Sequence, residues 1–297
     1  MKSVLFGIVV IQLLILPYRV SACDQCACSS AGSFNDLSVF STRNYLMLRT
    51  YYSHMWSDEH QYVSSTSLGM DLAAAFSLSP KLHITGFVPL RFNTFYHNEE
   101  WYQISGIGDM GAMANYVVYT NQDSMMARNK YTVSLRGGFE LPTGRFNTGF
   151  REDEVPAALS PGSGSFDMIG GVRLRGHFTN TALTCDYSIR YATRNQVEYQ
   201  FGLQQTANCT VSYLFRKPGL SILPYAGVSA ECVSGDTYHG YSQAGTTGYA
   251  GFAGAGLELA FSTWVLGAQT DIPVATEYDT DVQFTPRFSI RLSYLWN

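Results

Sequence analysis

The stretch RFSIRLSYLWN, Arg287 to Asn297, alternates strictly. Phe288, Ile290, Leu292, Tyr294 and Trp296 fall on one set of positions, and Arg287, Ser289, Arg291 and Ser293 on the other. Side chains along a strand have a period of two, so this segment has one apolar face and one polar face. In a soluble sandwich the apolar face meets another sheet and the polar face bulk water. In a transmembrane barrel the apolar face meets lipid and the polar face a wet lumen. The remainder of the sequence chooses between these two settings.

Composition favours the barrel. Charged residues make up 14% of the chain, well below the usual soluble value of about 25%, and aromatics also reach 14%. No uninterrupted apolar run beyond residue 22 is long enough for a spanning helix. The nearest candidate, Thr246 to Gln269, holds several glycines, Glu258 and a Ser262-Thr263 break, and reads as two strands joined by a tight turn. A net charge of −4 without a basic run excludes nucleic acid as a partner.

Alternating segments occur at 43–54, 65–78, 82–96, 106–120, 130–142, 165–178, 181–194, 201–216, 221–234, 246–260, 263–275 and 284–296. Their connections alternate in length. Those around Pro80, Asn180, Pro218 and Ser262 are short, and 121–129 is the longest of that set. The stretches 55–64, 97–105, 143–164, 195–200, 235–245 and 276–283 are the opposite set. Short turns on one side and long loops on the other are the arrangement of an outer-membrane barrel with both termini in the periplasm. The expected fold is therefore all-β: an antiparallel transmembrane barrel of about twelve strands, within roughly ten to fourteen. Lys81, Lys130 and Lys217, the only lysines after Lys2, all fall at the turn end.

The strand faces support this. One face carries uncharged sets such as Leu82, Ile84, Val88, Leu90 and Phe92, or Leu183, Tyr187, Ile189 and Tyr191. The other collects Arg49, Asp71, His83, Arg91, Asp109, Arg136, Glu140, Asp167, Arg173, Arg175, Asp186, Arg190, Arg287 and Arg291, with His177, Glu231, Glu258 and Asp271 beside them. A charge facing lipid at the midplane costs roughly 2–4 kcal/mol, so the charged set is assigned to the lumen. Trp56, Trp101, Trp264 and Trp296, with several tyrosines and phenylalanines, fall near strand ends, as interfacial girdles do.

Two stretches carry a family resemblance. Gly138-Phe139-Glu140-Leu141-Pro142-Thr143-Gly144-Arg145, followed by Ser160-Pro161-Gly162-Ser163-Gly164-Ser165-Phe166-Asp167, and Gly106-Ile107-Gly108-Asp109 opening a strand, resemble the outer-membrane barrels of the MetA-pathway of phenol degradation family. A subset of such transporters begins with Cys-Asp-x-Cys-x-Cys, and this chain reads Cys23-Asp24-Gln25-Cys26-Ala27-Cys28. The resemblance implies an outer-membrane barrel passing small, hydrophobic or aromatic solutes, a passive monomeric channel. Its partners would be outer-membrane lipid, the barrel-assembly machinery during biogenesis and a small solute. A non-conducting barrel with a charge-filled lumen is the first alternative and a barrel enzyme the second. His83 and His177 sit among charges that need partners in any case, so no catalytic residue is assigned. Gly106 to Gly111 matches the dinucleotide pattern G-x-G-x-x-G, but that pattern needs a strand–helix context and here precedes an alternating strand.

Residues 1–22 have the form of a secretory signal: Lys2, an apolar run from Val4 to Leu16, and Ser21-Ala22 before a cysteine. Residues 23–40 then form a periplasmic Cys-rich segment and 41–297 the barrel. Cys23, Cys26 and Cys28 would hold copper(I) or zinc with a further ligand, or form a disulfide in an oxidising compartment; no other cofactor is expected. Val20-Ser21-Ala22-Cys23 also matches a lipobox, which would put a lipid on Cys23. Cys185, Cys209 and Cys232 read as small hydrophobes on outward faces, with the first two also spaced for a cross-strand bridge. Mass spectrometry of the mature N-terminal peptide is expected to show an unmodified Cys23; an added diacylglycerol would end the three-thiol metal site.

Overall fold

A computed structural model describes residues 43–57, 63–97, 100–122, 129–146, 157–278 and 282–296. The proposed signal and Cys-rich segments lie outside the described residues. Twelve long strands form the wall: β1 (Asn44–Ser57), β2 (Val63–Ser79), β3 (Leu82–His97), β4 (Gly111–Thr120), β5 (Asn129–Glu140), β6 (Asp167–Phe178), β7 (Thr181–Ala192), β8 (Gln204–Tyr213), β9 (Leu220–Val233), β10 (Gly248–Phe261), β11 (Trp264–Tyr278) and β12 (Arg287–Trp296). Each pairs antiparallel with the next, and β12 returns to β1 with Asn44 opposite Trp296 and Tyr52 opposite Phe288. The sheet is a closed barrel. Closure removes both edges, so the backbone of the wall is satisfied without water.

Alternation fixes which side chains face out. Leu135, Val228, Ile272, Phe288 and Ile290 are exposed on the outer surface, while Ser134 and Arg136, which flank Leu135, are buried inside. The short connections are tight: Thr179 (φ 58°) and Ser262 (φ 55°) open two of them in the left-handed conformation that suits two-residue hairpins. At the turn end the outward rings pair, Phe76 with Trp296 at 5.9 Å and Trp264 with Tyr294 at 5.0 Å.

The fourth stave departs from the single strand expected over 106–120. A separate strand, Glu100–Ile107, continues the ladder along the loop-end half of β3, from His97 opposite Glu100 to Leu90 opposite Ile107. The β4 strand takes the other half, from Phe87 opposite Gly111 to Leu82 opposite Tyr116. Residues 108–110 break the stave where it faces Pro89. Proline has no N–H for the ladder, and the Gly108 N–H donates to the Pro89 carbonyl at 2.8 Å. The expected loop at 97–105 is thus largely strand. Val282–Phe284 likewise extends the seam against β1, and Tyr199–Gln200, Thr237–Tyr238 and Tyr241–Ser242 form a small sheet above the barrel.

Cys185 and Cys209 are direct partners across β7 and β8, with Cα atoms 4.2 Å apart, and are joined as a disulfide. Packing as free small hydrophobes therefore applies only to Cys232, which is half-buried. Replacing the outward Ile290 by arginine is expected to destabilise the barrel by about 2–4 kcal/mol more than Ile290→Ala, read by denaturant titration in phospholipid vesicles. Equal costs would show that this face does not meet hydrocarbon.

Candidate functional site

The lumen is filled unevenly. Inward side chains of Tyr45, Met47, Ala73, Ala75, Phe87, Met113, Ile169, Val265 and Leu295 form one buried apolar cluster. Around it the inward charges are gathered into shared ion pairs rather than isolated ones. Asp71 accepts from Arg49 on β1 at 2.5 Å and from Arg91 on β3 at 2.8 Å. Both guanidiniums also lie 5.3 Å from the ring of Tyr51. Asp186 on β7 is bracketed by Arg136 at 3.3 Å and Arg173 at 2.6 Å. Arg190 inverts the ratio, donating to Glu140 at 2.9 Å and to Asp167. Arg287 bonds Glu231 at 3.1 Å and stacks 3.9 Å over Phe252, and Arg291 bonds Glu258.

Register explains these groupings, because Arg49 lies directly opposite Asp71, and Arg173 opposite Asp186. Asp71, Arg91 and Asp167 have no exposed surface at all, so they act as braces across the wall and not as a wetted lining. Arg175 and His83 face inward near the turn end and are half-buried. Cys23, Cys26 and Cys28 lie outside the described residues. Among those described, no three His, Cys, Asp or Glu side chains come together to hold a metal ion.

The two motifs noted in the sequence meet in space. The Asp109 carboxylate accepts from the Gly144 N–H at 2.8 Å, the Ser163 N–H at 2.6 Å and the Ser163 hydroxyl at 2.7 Å. Gly108, Gly144 and Gly162 form the crossing itself. A Cβ on Gly144 would stand 2.7 Å from the backbone of both other glycines, and one on Gly162 would stand 2.6 Å from Gly144. Ser165 donates to Asp167 at 2.6 Å, tying the crossing to the Arg190 group. Farther along the same connection, Asn93 donates to the Leu159 carbonyl at 2.7 Å, and Leu159 is fully buried against Phe95 and Ile104. Alternation assigns Asp109 to the inside, but nothing local in the sequence announces that its partners come from another hairpin.

The inward faces of β8 to β11 mix buried Leu223, Glu231, Phe252, Glu258 and Val265 with smaller and uncharged positions. Asn208, Ser229, Gly254 and Gln269 are only half-buried although they lie mid-strand and point inward. Asp271 lies flat over Gly254, where a Cβ would stand 2.1 Å from its carboxylate, and Gln269 donates to Asp271 at 2.8 Å. Above this sector the loops interlock. Asp236 accepts from the Tyr199 hydroxyl at 2.5 Å and from the Gly202 N–H at 2.7 Å. Burial holds its carboxyl above the ordinary range despite those two bonds. Phe146 packs on Tyr199 and Phe201 at 6.1 and 6.2 Å, bringing a third connection into the same cluster.

No protein-family model matches the chain, and no curated protein does. Among solved structures it is similar to an outer membrane channel from Pseudomonas putida F1, with a TM-score of 0.68 at 14% identity over 88% of this chain and 98% of that one. The fold is that of an outer-membrane β-barrel. The β domain of the Bordetella autotransporter BrkA is also similar, with a TM-score of 0.52 at 13% identity over 86% of this chain and 100% of that one.

Removing the shared carboxylate in Asp71→Ala leaves two buried guanidiniums facing each other and is expected to cost about 3–5 kcal/mol. Glu198→Ala breaks the half-exposed pair with Arg194 and is expected to cost under about 1 kcal/mol. Denaturant titration separates the two. Asp109→Ala is expected to open the connection 141–166 to protease in the folded protein; unchanged cleavage would show that the crossing does not depend on this carboxylate.

Proposed function

We propose that the protein is a monomeric outer-membrane channel for small solutes, with the short turns and both termini in the periplasm. The incompletely buried inward positions of Asn208, Ser229 and Gly254 carry this reading. Inside a closed wall, accessible surface at mid-strand belongs to the lumen, and small polar side chains leave room there for water. Solutes enter between the interlocked loops, pass the β8–β11 sector beside Asp271 and Arg287, and leave at the turn end. No step is chemical, and transport is passive: mixed charges bind weakly enough to release. The resemblance to MetA-pathway of phenol degradation barrels favours hydrophobic or aromatic solutes. The ring cluster of Phe146, Tyr199, Phe201 and Tyr238 supports that preference by gathering aromatic side chains at the loop end. The barrel-assembly machinery would insert the chain.

A second reading, a non-conducting barrel, is favoured by the apolar cluster and the buried ion pairs of the lumen. Single-channel recording of the refolded protein tests the choice. We expect discrete conductance, reduced several-fold in Ser229→Trp, with folding of that variant unchanged by heat-modifiable migration. A folded protein that conducts no ions would favour the closed barrel.

A further inference from the structure

The inward acids of the wall are sealed, and several of the inward cations are not. Asp71, Glu140, Asp167, Asp186, Glu231 and Glu258 are all buried. Among the described residues of the twelve strands, Asp271 is the one inward acid that escapes burial. It lies flat over Gly254, and the Gln269 amide donates to both of its oxygens, at 2.9 and 2.8 Å. In contrast, Lys130 on β5, Arg175 on β6, and Arg287 and Arg291 on β12 hold inward positions without being buried. Arg216, opposite Ser221, points inward just beyond β8 and is exposed.

The ion pairs show the same bias. Arg291 keeps 15% of its side chain exposed where Glu258 keeps 2%, and Arg287 keeps 19% where Glu231 keeps 10%. Arg190 keeps 10% where Asp167 keeps none. Arg136 is less exposed than Asp186, but Arg173, bound to the same carboxylate, is more exposed than it. Stem length accounts for this: a carboxylate stays against the wall, whereas an arginine lays its stem along the wall and carries its charged head toward water. A pair that is neutral as a whole is thus oriented, with its positive end toward the passage. The loop surface above carries both signs, with Arg145, Arg194, Glu100 and Glu198 all exposed, so the bias belongs to the lumen and not to the entrance.

We propose that the lumen selects for anions and that its solutes are small carboxylates, guided by Arg287 and Arg291 along β12 and released past Arg175, Lys130 and Arg216 at the turn end. This rests on the reading of the barrel as an open channel. Cationic side chains lining a pore favour anions, and a guanidinium matches a carboxylate in shape as well as in charge. A carboxylate carried on an aromatic ring suits both this lining and the ring cluster at the loop end. Cationic solutes are disfavoured because the carboxylates that would receive them are covered.

The test is the reversal potential of the refolded protein in a planar phospholipid bilayer, first under a gradient of potassium chloride and then of potassium benzoate. Chloride and benzoate are each expected to be several-fold more permeant than potassium, with the preference falling as salt rises on both sides. Lys130→Gln combined with Arg216→Gln should bring the chloride ratio toward parity, and Asp271→Asn should raise it. Heat-modifiable migration establishes that each variant is folded. Asp271→Asn, which keeps the shape of the side chain, decides the matter if the double variant does not fold. A conducting wild type with no anion preference would overturn the proposal and leave the channel reading standing. So would a preference unchanged in both variants. Chloride selectivity without benzoate current would overturn the carboxylate assignment. A folded protein that conducts no ions would overturn the channel reading and this inference with it.

Discussion

A carboxylate sealed between two strands cannot be left to itself, and much of this barrel follows from where its inward charges find partners. Desolvating an ion costs several kcal/mol, and only close, well-directed partners offset that. The wall meets the condition by register. Arg49 faces Asp71 and Arg173 faces Asp186 across adjacent strands, and a one-residue slip would turn every one of these groups toward the outer surface. The ion pairs therefore hold the register as much as the register holds them. Their sharing, two guanidiniums on one carboxylate or two carboxylates on one guanidinium, lets each group bind more than one neighbour and ties three strands together at a time.

The same accounting separates the two halves of the lumen. Along β1 to β7, apolar side chains and the ion pairs on Asp71, Asp186 and Arg190 occupy the interior, with Val265 and Leu295 completing the apolar cluster from β11 and β12. From β8 to β11, Asn208, Ser229 and Gly254 leave it partly open. A barrel of this strand number has an interior that side chains can nearly fill, so the choice of small residues in one sector decides whether a passage remains. The loops add a second control. Asp109 and the three-glycine crossing draw the connection between β5 and β6 against the strand break, and Asp236 joins the loops on the other side.

The wall was legible in the sequence because a period of two is a local property. The segment Arg287 to Trp296 shows both faces without reference to any other strand, and the twelve staves follow from the same rule. Long-range pairings were not legible. Pro89 is visible in the sequence, yet that it breaks the fourth stave depends on what lies opposite it. Gly144 and Gly162 read as turn residues, and only the fold shows that their missing Cβ atoms let two backbones cross beside Asp109. The strand over Glu100–Ile107 escaped because its acidic, aromatic start resembles a loop, although its ladder with β3 keeps it extended.

The seam between β1 and β12 joins the two ends of the described wall, and one of its ties, the Thr285 hydroxyl donating to the His54 carbonyl at 3.1 Å, spans 231 residues of chain. Contacts of such separation slow folding, because the intervening chain must be ordered before they form. The entropy of closing so long a loop is modest once the hairpins exist, since each doubling of length adds only about 0.6 kcal/mol. The delay therefore lies in assembling the neighbours. Until the seam zips, β1 and β12 are two unpaired edges of a curved sheet with an apolar back, a template for pairing with other copies. Closing this seam is thus also what removes the two edges through which one copy could pair with another.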